Sequence, residues 1–478
     1  MKVIHRIIAT FGLVSSLVAA PVVVLAQTAA PTGQPDAPTG QPDASSPSTT
    51  QADAMDAYNQ GVKNIEDEDY GDAIADFDRA IAANPDLTEA YLYRGIARAE
   101  SGDQQGAVDD FNEVIQRDPN QAEAYFRRGV AYYSLGDKPQ AMADLDQAIQ
   151  LNADNAGAYF YRGVLQVENG DQSAALQDFN QAIQLKPTYA EAYVYRGSLQ
   201  AAAGDRRTAL SDFNRAIEIN PRYGAAYLNR GSTQYALGNR DAALEDLNRA
   251  VRLNNNSAVA YYNRGFVLAT TGDRDGALND FNRAIELKSD YAQAYFSRGV
   301  LHADLGNQQD AISDLNQAIT LNPSYAEAYK ERGDLLVADG NAQQAVEDYS
   351  RALEIRPNYA EAYSARASAR VQVGDGGNAY QDLTRAISLN PGDAQSLSSR
   401  ADIRSDAGDL QGAMADYTQA IRINPNDADA YYNRGLLRAQ MGIQQSALED
   451  FRQAANLYMQ QGSAEGYRNS LSQIEKLQ

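Results

Sequence analysis

The apolar positions of this chain fall on a helical period. Ala107, Phe111, Val114 and Ile115 are spaced i, i+4, i+7, i+8, one face of an amphipathic helix that Pro119 ends. Just upstream, Tyr91, Gly95 and Arg98 share a stripe on another helix, which Gly102 and Asp103 break. Together they predict a helix–turn–helix hairpin. The pattern returns every 34 residues: Gly at 61, 95, 129, 163, 197, 231, 265, 299, 333 and 435, with Ala367 and Ala401 in the same register. An Ala follows twelve residues after each of these (Ala73, Ala107, through Ala447), and an Asp three residues later (Asp76, Asp110, through Asp450). A hairpin of this length cannot bury both its faces, so the units must stack on one another, with Gly95 allowing close backbone approach. Few β-branched runs and little proline inside the periodic segments leave helix throughout, so the fold class is all-α.

An aromatic, Gly, Ala, aromatic and Pro at these offsets resemble the tetratricopeptide repeat. The resemblance covers twelve consecutive units from Ala54 to about Gln461, with no insertion between their Gly positions. It implies a right-handed α-solenoid superhelix of twelve hairpins, closed by a C-terminal capping helix. The segment 462–478 suits that cap: Tyr467, Leu471, Ile474 and Leu477 keep helical spacing while the remainder is polar. Departures from the family pattern are regular. Tyr91 and its equivalents stand where Trp is usual, and Arg94, Arg128, Arg162 and their successors stand where Leu is usual. The closing Pro is lost at Ala153, Asn255, Ser289 and Met459, and after the last of these the second helix is expected to run on before Gly462.

Two segments precede the repeats. Lys2, His5 and Arg6 lead into an apolar stretch from Ile7 to Ala26, which reads as a secretory signal peptide over 1–26 with cleavage after Ala26; an uncleaved anchor is the alternative. Residues 27–53 carry the twice-repeated Ala-Pro-Thr-Gly-Gln-Pro-Asp and then Ser, Pro and Thr, a disordered linker without the apolar residues needed for a core. These segments place the mature chain outside the cytoplasm, periplasmic or extracellular. The net charge of −22 argues against nucleic acid and favours basic partners. No membrane partner is expected for the mature chain.

The repeats leave no segment over for a catalytic domain, so no enzymatic activity and no cofactor are expected. With no Cys, and His302 the one His beyond the signal, the usual nucleophile, base and zinc sets lack their parts. Acidic runs such as Glu66 to Asp69 and Asp273 to Asp275 fall in hairpin turns, where they suit helix capping better than calcium, so no metal site is expected. The Arg before each Gly is expected to meet the Asp of the second helix across its hairpin, Arg94 with Asp110 and Arg128 with Asp144.

The first-helix face that lines the concave surface in this family is apolar here at three residues before and one after the Gly. The pairs run Leu92 and Ile96, Phe126 and Val130, Phe160 and Val164, Val194 and Ser198, Leu228 and Ser232, Tyr262 and Phe266, Phe296 and Val300. The line then turns polar at Lys330 and Asp334, Ser364 and Ser368, Ser398 and Asp402, where the stretch reads either as repeat drift or as a hinge or second site. Tyr93, Tyr161 and Tyr195 lie beside the stripe, with Glu100, Glu168 and Asp304 further along. Two readings stay open. These side chains either pack between adjacent first helices or form an exposed groove for protein or peptide segments. On the second reading the groove residues are Leu92, Ile96, Phe126, Val130, Phe160, Tyr161, Val164, Tyr195, Tyr262, Phe266, Phe296 and Val300. The expected role is a protein-interaction scaffold; the alternative is a self-assembling structural or complex-assembly factor of the cell envelope.

Overall fold

A computed structural model describes residues 49–478, with side chains from 51 onward. The signal peptide and the linker up to residue 48 lie outside the described residues. Within them the chain forms 25 helices and no strand, from Thr49–Glu66 to Ala464–Leu477. The first helix starts at Thr49, five residues before the Ala54 at which the repeat pattern becomes legible. The chain divides into two compact units, residues up to 267 and residues from 268 onward, a division that falls inside the helix Ala258–Thr271.

In the first unit, first and second helices pair as hairpins, for example Thr88–Ser101 with Gln104–Arg117, and each second helix packs on the next first helix. The turn inside the hairpin repeats one recipe. Gly102, Gly136, Gly170, Gly204 and Gly238 adopt left-handed backbone with φ between 82° and 96°, which only glycine adopts without cost. In four of these turns the next residue caps the second helix: Asp103 accepts from the Gly106 N–H at 2.9 Å, and Asp137, Asp171 and Asp205 cap in the same way, while Asn239 makes no such bond. Each such cap contributes roughly 1 kcal/mol. Glu68 breaks the rule, since it holds the glycine's place in the first repeat at φ 59°.

The hairpin closes on the recurring glycine. A Cβ on Gly95 would lie 2.7 Å from Phe111 Cε1, and Gly61 and Gly163 are equally tight against Phe77 and Phe179. The core is thus a series of small local clusters, each made of one hairpin and the start of the next. One contains Phe126, Ala141, Leu145, Ala148, Ala158 and Leu165.

The second unit uses the same recipe. Gly306, Gly340, Gly374, Gly408 and Gly442 turn at φ 77–82°, and Asp273, Asp375 and Asp409 cap the helices that follow them, while Asn307, Asn341 and Ile443 hold the same place without a side-chain cap. Its second helices bury Tyr349 and Tyr417 where the first unit has Phe or Leu. Loss of the closing Pro at Met459 has the expected result: the helix Gln444–Gln461 runs to 18 residues and ends at Gly462 in left-handed conformation. The helix Ala464–Leu477 then covers the last repeat with Ser470 fully buried.

Candidate protein-interaction face

The arginine before each glycine does more than pair with its aspartate. Arg162 donates twice to Asp178, at 2.7 Å from both Nε and Nη2, and its Nη1 reaches back to Asp146 on the preceding repeat at 2.8 Å. Its guanidinium also stacks over the Tyr159 ring at 5.5 Å. The arrangement recurs from Arg94 to Arg434, with the backward acceptor an Asp or Asn in the earlier repeats and Ser350, Thr384 or Thr418 in the last three. The hydrogen bonds it donates to Asp178 lead the effects that hold the Arg162 guanidinium above its ordinary value, against the opposing effect of burial. The ladder is therefore a structural joint between repeats. Gln60 replaces the arginine in the first repeat, where Asn64 serves Asp76 instead, at 2.8 Å.

Burial decides between the two readings of the apolar stripe. Leu92, Phe126, Phe160, Val164, Tyr262, Phe266, Phe296 and Val300 are 2–9% exposed. They are interior side chains, so the exposed apolar groove is corrected to a packed seam. Phe126 shows the cause, because it projects toward the first helix of the next repeat, where a Cβ on Gly157 would come within 2.7 Å of its Cζ. Its ring lies 6.2 Å from that of Tyr161. Ile96, Val130, Tyr161 and Tyr195 remain partly exposed.

What that face does present in the first unit is tyrosine. Tyr58, Tyr93, Tyr133, Tyr161, Tyr195 and Tyr235 are all half-buried and edge against neighbouring rings, Tyr58 on Tyr93 at 5.7 Å and Tyr133 on Tyr161 at 6.0 Å. The Tyr133 hydroxyl donates to Glu168 at 2.9 Å, and Lys138 approaches the same carboxylate at 3.0 Å. Burial, then the bond to Glu168, raises the Tyr133 phenol above its ordinary value, so it stays a neutral donor. Glu100 and Glu168 stand exposed at the edge of the row. Tyr133 and Tyr235 escaped notice in the sequence because they sit four residues after the glycine, where most other repeats carry Ala or Val and nothing periodic marks them.

In the second unit the polar stretch is paired within itself. Lys330 lies 2.8 Å from Asp334 and 3.2 Å from Glu331, and the Tyr349 hydroxyl donates to Asp334 at 2.8 Å. Burial opposes the Lys330 charge, but Glu331 and Asp334 outweigh it and hold the ammonium above its ordinary value. Tyr417 likewise donates to Asp402. Thus both Asp residues at that register are matched by the two Tyr residues fifteen positions later, and the polar break is a compensated core. Ser396, fully buried, bonds Ser364 at 3.0 Å. His302 is half-buried, its ring nitrogen 3.5 Å from the Asn307 side chain in the adjoining turn.

Family models described as TPR repeat match residues 166–204, 235–272, 333–374 and 401–442, and models described as tetratricopeptide repeat match 58–122, 122–155 and 262–326. The chain belongs to the tetratricopeptide repeat family. Among solved structures, this tetratricopeptide repeat chain is similar to yeast Tom70 (17% identity, covering 89% of this chain and 95% of that one, TM-score 0.37). It is similar also to the Cut9–Hcn1 hetero-tetramer of APC/C (12%, 89% and 99%, TM-score 0.49) and to MamA (27%, 36% and 94%, TM-score 0.32). No curated protein matches it. Tetratricopeptide repeats are generally non-catalytic scaffolds for protein partners, and at that level the family describes this chain.

Proposed function

We propose that the chain is an exported, non-enzymatic scaffold that binds segments of partner proteins on the tyrosine-bearing first-helix face of residues 54–267. One observation carries the reading: half-buried, partly solvent-exposed tyrosines recur along that face with Glu100 and Glu168 beside them. Tyrosine offers a large, rigid contact with a polar tip, and with Trp and Arg it is enriched at the energetic centres of interfaces. The carboxylates and the net charge of −22 favour partners that present basic and aromatic side chains. Export rests on the apolar stretch from Ile7 to Ala26.

The mature chain, bound to resin and exposed to envelope extract, is expected to retain a defined protein, and Tyr93→Ser with Tyr133→Ser is expected to lose it while keeping the helical circular dichroism. Equal capture by the double variant sinks the face. N-terminal sequencing of the exported chain is expected to begin at Gln27. A second reading, self-association, is favoured by exposed apolar side chains near the C-terminal end, with Met459 at 60% and Leu436, Ile443 and Leu471 at 38–42%. Light scattering over a range of concentrations separates the two.

A further inference from the structure

Five repeats place a tyrosine just before the first helix, at 189, 223, 291, 325 and 359, and Ser257 interrupts that run. The tyrosine has a definite task. Tyr189 lies against Phe160 with ring centroids 4.8 Å apart and planes at 39°, and Tyr325 meets Phe296 at 4.8 Å and 35°. Tyr189 is 5% exposed. In each case a ring from the loop fills the crevice between one repeat and the next. At Ser257 the loop ring is missing, and the residue in the register of Phe160 and Phe296 is Leu228. Both halves of the aromatic pair are truncated at once.

A cavity of ≈ 220 Å³ remains there. Leu228, Ala250 and Ala260 give it a buried apolar lining, while Arg222 and Asn254 are exposed at its open side. Gly224, where neighbouring repeats have Ala190 and Ala258, leaves it wider: a Cβ there would lie 3.4 Å from Leu253 Cβ, ordinary contact, so packing does not demand the glycine. An apolar cavity of about 150 Å³ is enough to hold benzene. The space therefore admits a phenyl or phenol ring, and the sister repeats show the ring that belongs in it. No carboxylate lines it, so it does not attract a cationic side chain, and Arg222, Asn254 and the Ser257 hydroxyl offer hydrogen bonds to a phenol or to the backbone that carries the ring.

We propose that this cavity is a binding pocket for one aromatic side chain, Tyr or Phe, presented by a segment of a partner protein. The pocket itself follows from the geometry; its occupant rests on the interaction reading above. The test uses the mature chain with labelled Leu methyl groups and two probes, p-cresol and N-acetyl-tyrosinamide, followed by nuclear magnetic resonance titration. Saturable shifts at Leu228 and Leu253 are expected, while an N-acetyl-leucinamide control binds more weakly. Ser257→Tyr restores the missing ring and is expected to reduce p-cresol affinity by roughly tenfold or more, since the cavity is then filled from within. Leu228→Phe fills it from the other side and is expected to do the same should the first variant fold poorly. Absence of shifts at Leu228 and Leu253, or equal affinity in the filled variants, overturns the pocket and leaves the capture experiment with Tyr93 and Tyr133 standing on its own.

Discussion

Replacing Arg162 with Leu, the residue usual in this family at that position, tests whether the arginine ladder is a joint or a decoration. The change removes two hydrogen bonds to Asp178 at 2.7 Å, one to Asp146 at 2.8 Å and the stacking over Tyr159 at 5.5 Å. Asp178, whose side chain is only 7% exposed, is left without its cation. Orphaning one partner of a buried pair costs about 3–5 kcal/mol. Arg162 is 21% exposed, so solvent screening lowers that to about 2–3 kcal/mol, and the lost cation–π contact adds about 0.5–1 kcal/mol. A total near 3 kcal/mol corresponds to about a hundredfold loss of protection. Repeat arrays open locally, so the measurement is amide hydrogen exchange in Ala156–Glu168 and Gln172–Leu185. Both helices are expected to lose protection, while Ala428–Gln440 is unchanged. The double variant Arg162→Leu with Asp178→Leu removes the stranded carboxylate and is expected to recover more than half of the loss. A double variant as unprotected as the single one, or a single variant that exchanges like the parent, refutes the reasoning.

Glu68→Gly relieves a left-handed residue at φ 59° and is expected to stabilise the first hairpin by about 1 kcal/mol, read as slower exchange in Tyr70–Ala83; no change means the strain is absent. Gly95→Ala forces a Cβ to 2.7 Å from Phe111 and is expected to destabilise its hairpin by about 1–3 kcal/mol in a denaturant titration, whereas Gly376→Ala, with nothing within 4 Å, is tolerated. Burial raises the phenols of Tyr189, Tyr195 and Tyr223 above the ordinary value of 10.0. Their contribution to stability is therefore complete below pH 10 and falls as pH rises through the raised values, at about 1.4 kcal/mol per pH unit for each group. With no tryptophan present, tyrosinate absorbance reads this directly: a late-titrating fraction should ionise together with loss of helix, and uniform titration with helix intact sinks the claim.

The fold was legible because each local choice points the same way. Period, turn glycine, capping Asp and the small residue at the crossing recur in one register, and Arg94 with Asp110 could be paired from spacing alone because a hairpin of fixed length brings them together. The apolar stripe was harder. Phe126 and Phe160 look alike whether they face solvent or a neighbour, and which one holds depends on how far apart successive first helices sit, a distance that no single repeat encodes. The polar break misled for a different reason: Asp334 and Tyr349 face each other across one hairpin, much as Arg94 and Asp110 do, but Tyr349 stands where most other repeats carry Phe or Leu, and its hydroxyl went unread as a partner. The tyrosine before the first helix was periodic and readable, and so was its absence at Ser257, but its weight became clear only when Tyr189 was found lying on Phe160.

The backward reach of each arginine also bears on how such a chain changes length. Every repeat after the first carries one plug, the guanidinium, and every repeat before the last carries one socket, the acceptor that receives the plug of its successor, from Asp78 through Asn112 to Thr418. Excising or duplicating 34 residues in register leaves each plug opposite a socket of the right kind, so the seam heals without compensating substitutions. Only the ends are particular: Gln60 bonds Asn64 on its own helix instead of an earlier repeat among the described residues, and the helix Ala464–Leu477 covers the final surface. Growth or shortening by unequal recombination is thus chemically silent in the interior, and length becomes a quantity that selection can adjust one unit at a time.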